Sequence, residues 1–278
     1  EETSACLAQY MGRKDCPLKV LRLRAADLDD GECAGFVEAL SENKTLTSID
    51  LSYNLIGSAE NLNTVYPDFT TGGEALAEWL ADEECVLKTL VLEWNMIRLD
   101  SAIQLAQALH TNISLTYLDL SYNSLATDGG LALGDAIIDN RTLKTLRLNN
   151  NNITSTACFT ICIGAIENIA LTELSMGGNP IGTPGANALM LVPLTVGDRI
   201  KISAVNCNIL IRDSNCWFNP QSPCSDYRLN LSHPFERAIA FKLLRLVASH
   251  PTYVFKYCNY VEEVDGRLGR NTPLNLVQ

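Results

Sequence analysis

The chain has 278 residues, 47% of them hydrophobic and 19% charged, a balance that supports folding over disorder. Its formal net charge of −11 argues against nucleic acid as a partner, because phosphate backbones attract clustered Lys and Arg. No uninterrupted apolar run is long enough to span a bilayer; the best, Ala238 to Ala248, is broken by Lys242 and Arg245.

The sequence opens at Glu1 with neither Met nor a signal-like segment, as a processed form or a fragment would. Residues 1–17 are expected to form an N-terminal cap: a short helix with Ser4 as its N-cap and Leu7, Tyr10 and Met11 closing the first repeat.

From Leu18 the chain repeats. Leu18, Leu46, Leu87, Leu115, Leu143 and Leu171 open successive copies of L-x-x-L-x-L-x-x-N-x-L, and the last four lie 28 residues apart. Taking each opening Leu as position 0, Leu21, Ile49, Leu90, Leu118, Leu146 and Leu174 fill position 3. Position 5 holds Leu23, Leu51, Leu92, Leu120, Leu148 and Met176. That alternation predicts a short strand with one buried face. Position 8 is Asn54, Asn95, Asn123, Asn151 and Asn179, with Ala26 in the first copy and Cys207 in the last. An Asn turned inward there satisfies backbone groups that stacking would bury. Later in each copy, Phe36 and Leu40, Leu105 and Leu109, or Leu133 and Ile137 recur four apart, as one face of a helix requires. One such unit cannot bury its own apolar face, so the copies must stack.

Copy two is longer by 13 residues, and most of the excess falls at 57–70, before a helix carrying Leu76 and Leu80. This insertion brings Tyr66, Pro67 and Phe69, and is either a tolerated surface loop or a binding loop. After Cys207 the period fails. A helix capped by Ser232 and a strand at Tyr253–Cys258 are expected in a module of residues 211–278.

Units of 28 residues with long helices resemble the ribonuclease-inhibitor-like class of leucine-rich repeats, as found in NOD-like receptor sensor domains and Ran GTPase-activating protein. The resemblance covers residues 18–210, about seven repeats, and implies an α/β solenoid. Parallel strands would line the concave face of a curved horseshoe and helices its convex face, with residues 211–278 as an α/β capping module.

Several chemistries fail on inspection. Cys33, Cys158 and Cys162 occupy small helix positions and behave as buried hydrophobes. Cys6, Cys16, Cys216, Cys224 and Cys258 leave a disulfide open, with Cys216–Cys224 the preferred pair. No C-x-x-C occurs and the three histidines are scattered, so no metal, cofactor or catalytic site is expected. Asp27-x-Asp29-Asp30-Gly31 has its Gly one position early for a calcium loop, and Asp29 or Asp30 reads better as a helix N-cap. Sequons begin at Asn43, Asn112, Asn140, Asn152 and Asn230. Three of them recur at the end of a copy, where the repeat's own turn explains them, so the expected location is intracellular rather than secreted.

The candidate site is a surface. Position 7 carries Tyr53, Trp94 and Tyr122 in consecutive copies, read as strand residues facing away from the core. Tyr117, Asp50, Asp119, Arg147 and Glu93 lie on neighbouring outward positions, and Tyr66 and Phe69 belong to the insertion. Such aromatic anchors dominate protein interfaces. The pattern points to a non-enzymatic protein-binding module or scaffold subunit of a larger assembly, with a partner that presents a basic segment. The resemblance leaves two alternatives, a GTPase-activating regulator of a small GTPase and an innate-immune sensor fragment.

Overall fold

The structure, a computed structural model, describes residues 2–13, 15–60 and 70–207, together with strands at 254–257, 262–264, 267–269 and 274–277. Two compact units emerge, Glu1–Leu189 with Asp198–Ile209, and Met190–Gly197 with Leu210–Gln278.

In the first unit, seven three-residue strands form one parallel sheet in chain order. They are β1 (Val20–Arg22), β2 (Ser48–Asp50), β3 (Thr89–Val91), β4 (Tyr117–Asp119), β5 (Thr145–Arg147), β6 (Glu173–Ser175) and β7 (Lys201–Ser203). The register joins like positions throughout: Leu21 opposite Ile49, Ile49 opposite Leu90, Leu90 opposite Leu118. The central residue of each strand from Ile49 to Leu174 is buried, as are the position-5 residues Leu51 to Met176. Between strands run α2 (Asp30–Leu40), α3 (Gly72–Ala81), α4 (Leu99–Thr111), α5 (Ala126–Asp139) and α6 (Ser155–Glu167), and α7 (Gly182–Val196) contains Pro193. Strands sit about 4.8 Å apart and packed helices 8–10 Å, roughly twice that, so strands on one side and helices on the other bend this unit towards its strands. Phe36, Leu40, Leu76, Leu80, Leu105, Leu109, Leu133 and Ile137 are all buried, as the fourfold spacing predicts.

Two Asn rows stitch the copies together. Asn123 donates through Nδ2 to the carbonyls of Leu92 (2.9 Å) and Leu120 (3.0 Å) and accepts from the Ile97 amide at 3.0 Å. Cys207, in the same position of the last copy, donates its thiol to the Met176 carbonyl at 3.3 Å. The second row, Asn43, Asn112, Asn140 and Asn168, lies three residues before Leu46, Leu115, Leu143 and Leu171 and is 1–4% exposed. Asn140 donates to Leu109 and Asn112 carbonyls at 2.8 and 3.2 Å and accepts from the Thr142 and Leu143 amides at 3.0 and 2.7 Å. Those three terminal sequons therefore encode buried brackets.

At the N-terminus α1 runs from Glu2 to Met11, so Ser4 lies inside the helix and is not its cap; its hydroxyl donates to Glu32 at 2.8 Å. Met11 is fully buried, whereas Tyr10 is exposed. Asp29 is the N-cap of α2, accepting from the Glu32 amide. Asp30, 2% exposed, accepts from the amides of Gly57 (2.7 Å), Gly72 (2.8 Å) and Ala59 (2.8 Å). One buried carboxylate thus pins both ends of the insertion. Glu60, at its near base, accepts from the Ser101 amide in the first turn of α4, whose own N-cap residue Arg98 supplies no side-chain cap; Arg98 instead donates to the Glu60 carbonyl.

In the second unit β8 (Val254–Tyr257) pairs antiparallel with β11 (Leu274–Val277), and β9 (Glu262–Val264) with β10 (Arg267–Gly269). The expected strand at 253–258 is present in its central four residues. The helix expected after Ser232 and the Cys216–Cys224 pair lie outside the described residues.

Candidate functional surface

Position 7 is not a strand residue. Each strand stops at position 4, and position 7 falls in the turn that follows, with its backbone in the left-handed region: φ is 52° at Ala25, 60° at Tyr53, 54° at Trp94, 56° at Tyr122, 53° at Asn150, 69° at Gly178 and 60° at Asn206. Gly and Asn suit this conformation, which costs other residues roughly 1–2 kcal/mol. The last three copies use them. The middle three use Tyr, Trp and Tyr, so local backbone preference does not account for the aromatic row.

The rings form a stack. Tyr53 and Trp94 lie 5.8 Å apart between centroids at 23°, and Trp94 and Tyr122 lie 4.5 Å apart at 10°. The guanidinium of Arg24 sits 4.2 Å over Tyr53 and closes that end. Mutual stacking leaves the rings wet: Tyr53, Trp94 and Tyr122 keep 40%, 48% and 37% of their surface. Leu55 and Met96, two residues further on, are also exposed. Arg24, Leu55 and Met96 were not singled out by sequence reasoning; their place beside the position-7 residues in the turn is the signal that could have found them.

The structure brings Tyr53, Trp94, Tyr122, Tyr117, Asp50, Asp119, Glu93 and Arg147 onto one run of strands and turns. Tyr66 and Phe69 lie outside the described residues. Asp50 accepts from the Ser52 amide and hydroxyl, at 3.0 and 2.6 Å. Asp119 is buried and accepts from the Ser121 amide at 2.9 Å and the Tyr117 hydroxyl at 3.4 Å. Burial, then the Asp119 charge, push the Tyr117 hydroxyl up, keeping it a donor. Arg147 lies 5.4 Å over the Tyr117 ring and pairs with Glu173 at 3.3 Å. Glu93 alone of the three central carboxylates has no hydrogen bond or ion pair among the described residues. Burial first, then Asp119, hold its carboxyl above the usual range, while Arg24 and Arg147 oppose the shift.

The charge is not uniformly negative. Asp50, Glu93 and Asp119 occupy the centre, with Arg22 and Arg24 on one flank and Arg147 and Lys201 on the other. The result is an acidic strip between margins that carry Arg and Lys, with Glu173 paired to Arg147 within one of them.

Among the described residues, no group of three or more His, Cys, Asp or Glu is placed to hold a metal ion. Burial pushes the Cys33 thiol up to about 12, and burial likewise raises Cys85 and Cys207. Thiols held protonated this way are poor nucleophiles. No helix of the described residues is long and apolar enough to cross a membrane.

A family profile described as "Leucine Rich repeat" matches residues 42–59, 111–134, 139–162 and 167–190. Each matched segment starts at or just after the end of a helix and runs through β2, β4, β5 or β6 towards or into the next helix. A solved structure titled "Leiomodin-1 Actin-Binding Site 2 (ABS2)" is similar over 71% of this chain and 88% of that one, at 17% identity and a TM-score of 0.43. The fold is a leucine-rich-repeat solenoid.

Proposed function

We propose that this chain is a non-enzymatic protein-binding module, a scaffold subunit of a larger assembly, which engages its partner through the strand face and the turns that follow. One observation carries the reading: three consecutive aromatics occupy left-handed turn positions that Ala25 fills in the first copy and Asn or Gly in the last three, and they stay exposed. Strain retained at a solvent-facing site marks a function other than folding, and exposed aromatics of this kind anchor interfaces. No described side chain favours a GTPase-activating or immune-sensor role over this one.

The test uses Asn, the residue that copies five and seven already carry at this position. Trp94→Asn with Tyr122→Asn, used as bait beside the wild-type chain in the native source, is expected to lose a discrete set of captured proteins while keeping its fold. Retention of every partner by a folded double variant would reject the strand face as the binding surface.

A further inference from the structure

Two of the three tyrosines described on this face, Tyr53 and Tyr117, already carry a guanidinium. Arg24 lies over Tyr53 and Arg147 over Tyr117, each beside a central carboxylate: Glu93 senses both arginines, and Asp119 bonds Tyr117. The face is therefore built to hold arginine side chains against rings and acids, and it satisfies its own. At the centre the pattern is incomplete. The Glu93 carboxylate stands between Asp50 and Asp119 without a hydrogen bond or ion pair among the described residues, its backbone carbonyl alone accepting from the Tyr53 and Asn95 nitrogens. Asp50 and Asp119 have their backbone and hydroxyl donors. Tyr122 stacks on Trp94, and among the described residues no ring or guanidinium lies over its other face. The next residue in the row, Asn150, crowds Gly178, where an added Cβ would lie 2.6 Å from the Asn150 side-chain carbon.

We propose that the strand face binds an extended, arginine-bearing segment of a protein partner, with Glu93 taking a guanidinium and the Tyr53–Trp94–Tyr122 row supplying the rings against which it lies. Charge complementarity selects the occupant: three carboxylates lie at the centre, and the chain's own cations stand at both margins. Arginine is favoured over lysine because its planar guanidinium stacks on rings while bonding a carboxylate through a fork of donors. The basic margins disfavour a uniformly cationic surface and suit a cation set within a neutral or acidic neighbourhood. This inference rests on the strand face being the binding face, and adds what that face recognises.

Three extended peptides test it by titration calorimetry: alternating Arg and Gly, the same with Lys, and the same with citrulline, which keeps the shape and removes the charge. The Arg peptide is expected to bind the wild-type chain about fivefold more tightly than the Lys peptide and about tenfold or more above the citrulline peptide. Glu93→Gln, which preserves shape, should weaken the Arg peptide about tenfold and leave the citrulline peptide unchanged. Tyr122→Asn should narrow the gap between Arg and Lys. Equal binding of the three peptides, absence of saturable binding, or an Arg-peptide affinity unmoved by Glu93→Gln overturns the proposal. If partner capture is lost with Trp94→Asn and Tyr122→Asn but survives Glu93→Gln, the binding face stands and its arginine specificity falls.

Discussion

Glu93 shows how one side chain can oppose the fold it belongs to. Its folded-state pKa is raised by burial and by Asp119, so ionisation is costlier in the folded than in the unfolded chain. The cost is absent below the unfolded pKa and fully present above the raised folded one, and between the two stability falls as pH rises. Glu93→Gln is thus expected to raise the melting temperature at neutral pH, with the gain shrinking on acidification through the carboxylate range. Asn140 behaves oppositely. Removing it leaves buried carbonyls and amides unpaired, and Asn140→Ala should cost about 2–4 kcal/mol in urea unfolding. Trp94→Asn stands between these cases. It forfeits stacking of about 0.5–1.5 kcal/mol per ring pair but relieves left-handed strain of roughly 1–2 kcal/mol, so its effect on unfolding should be small. The same residue type is indispensable at one position of the repeat and an acceptable substitute at another, because burial differs.

Elements are joined by residues from neighbouring copies as much as by their own. The first turn of α4 is capped by Glu60 from the insertion base, and Asp30 of α2 gathers amides from both ends of that insertion. Asp30→Ala would strand the buried amides of Gly57 and Gly72 at about 1–3 kcal/mol each, and a loss of at least about 2 kcal/mol is expected in chemical denaturation. Helices α5 and α6 approach through Gly134 and Gly164: a Cβ on Gly134 would lie 2.6 Å from the Thr160 carbonyl carbon. Sequence periodicity located these helices, since apolar spacing of three and four is a local signal. It missed the Asp30 hub because Gly57 and Gly72 are distant in sequence and announce no partner. It also misplaced the start of α1, where Ser4 matched a cap by residue type while the helix had already begun at Glu2.

Across the first unit each copy adds one strand and one connecting segment to an in-register stack, so stability is close to a sum of units and nearest-neighbour contacts. Excision of residues 115–142, one whole copy, is expected to leave a cooperatively folding chain with a lower melting temperature, read by circular dichroism. Excision of 115–128 breaks the register and should not fold. The whole-copy variant brings Trp94 next to Asn150 and removes Tyr117, Asp119 and Tyr122, so it should fold yet lose its partner.

The repeat, its phase, the inward Asn row, the insertion in copy two and the helix faces were all legible in the sequence, because a recurring unit states its own periodicity and buried positions admit few residue types. The aromatic row was legible too, but its conformation was not. Alternation alone extends a strand past position 4; backbone bonds between copies do run on to position 7, as from the Trp94 amide to the Ser121 carbonyl at 3.0 Å, but the backbone there is left-handed. Whether a ring stacks on a ring, whether Arg24 covers Tyr53, and which of three carboxylates keeps no donor depend on atoms from different copies meeting across the sheet. Those meetings are set by strand spacing and register, which only the tertiary structure decides.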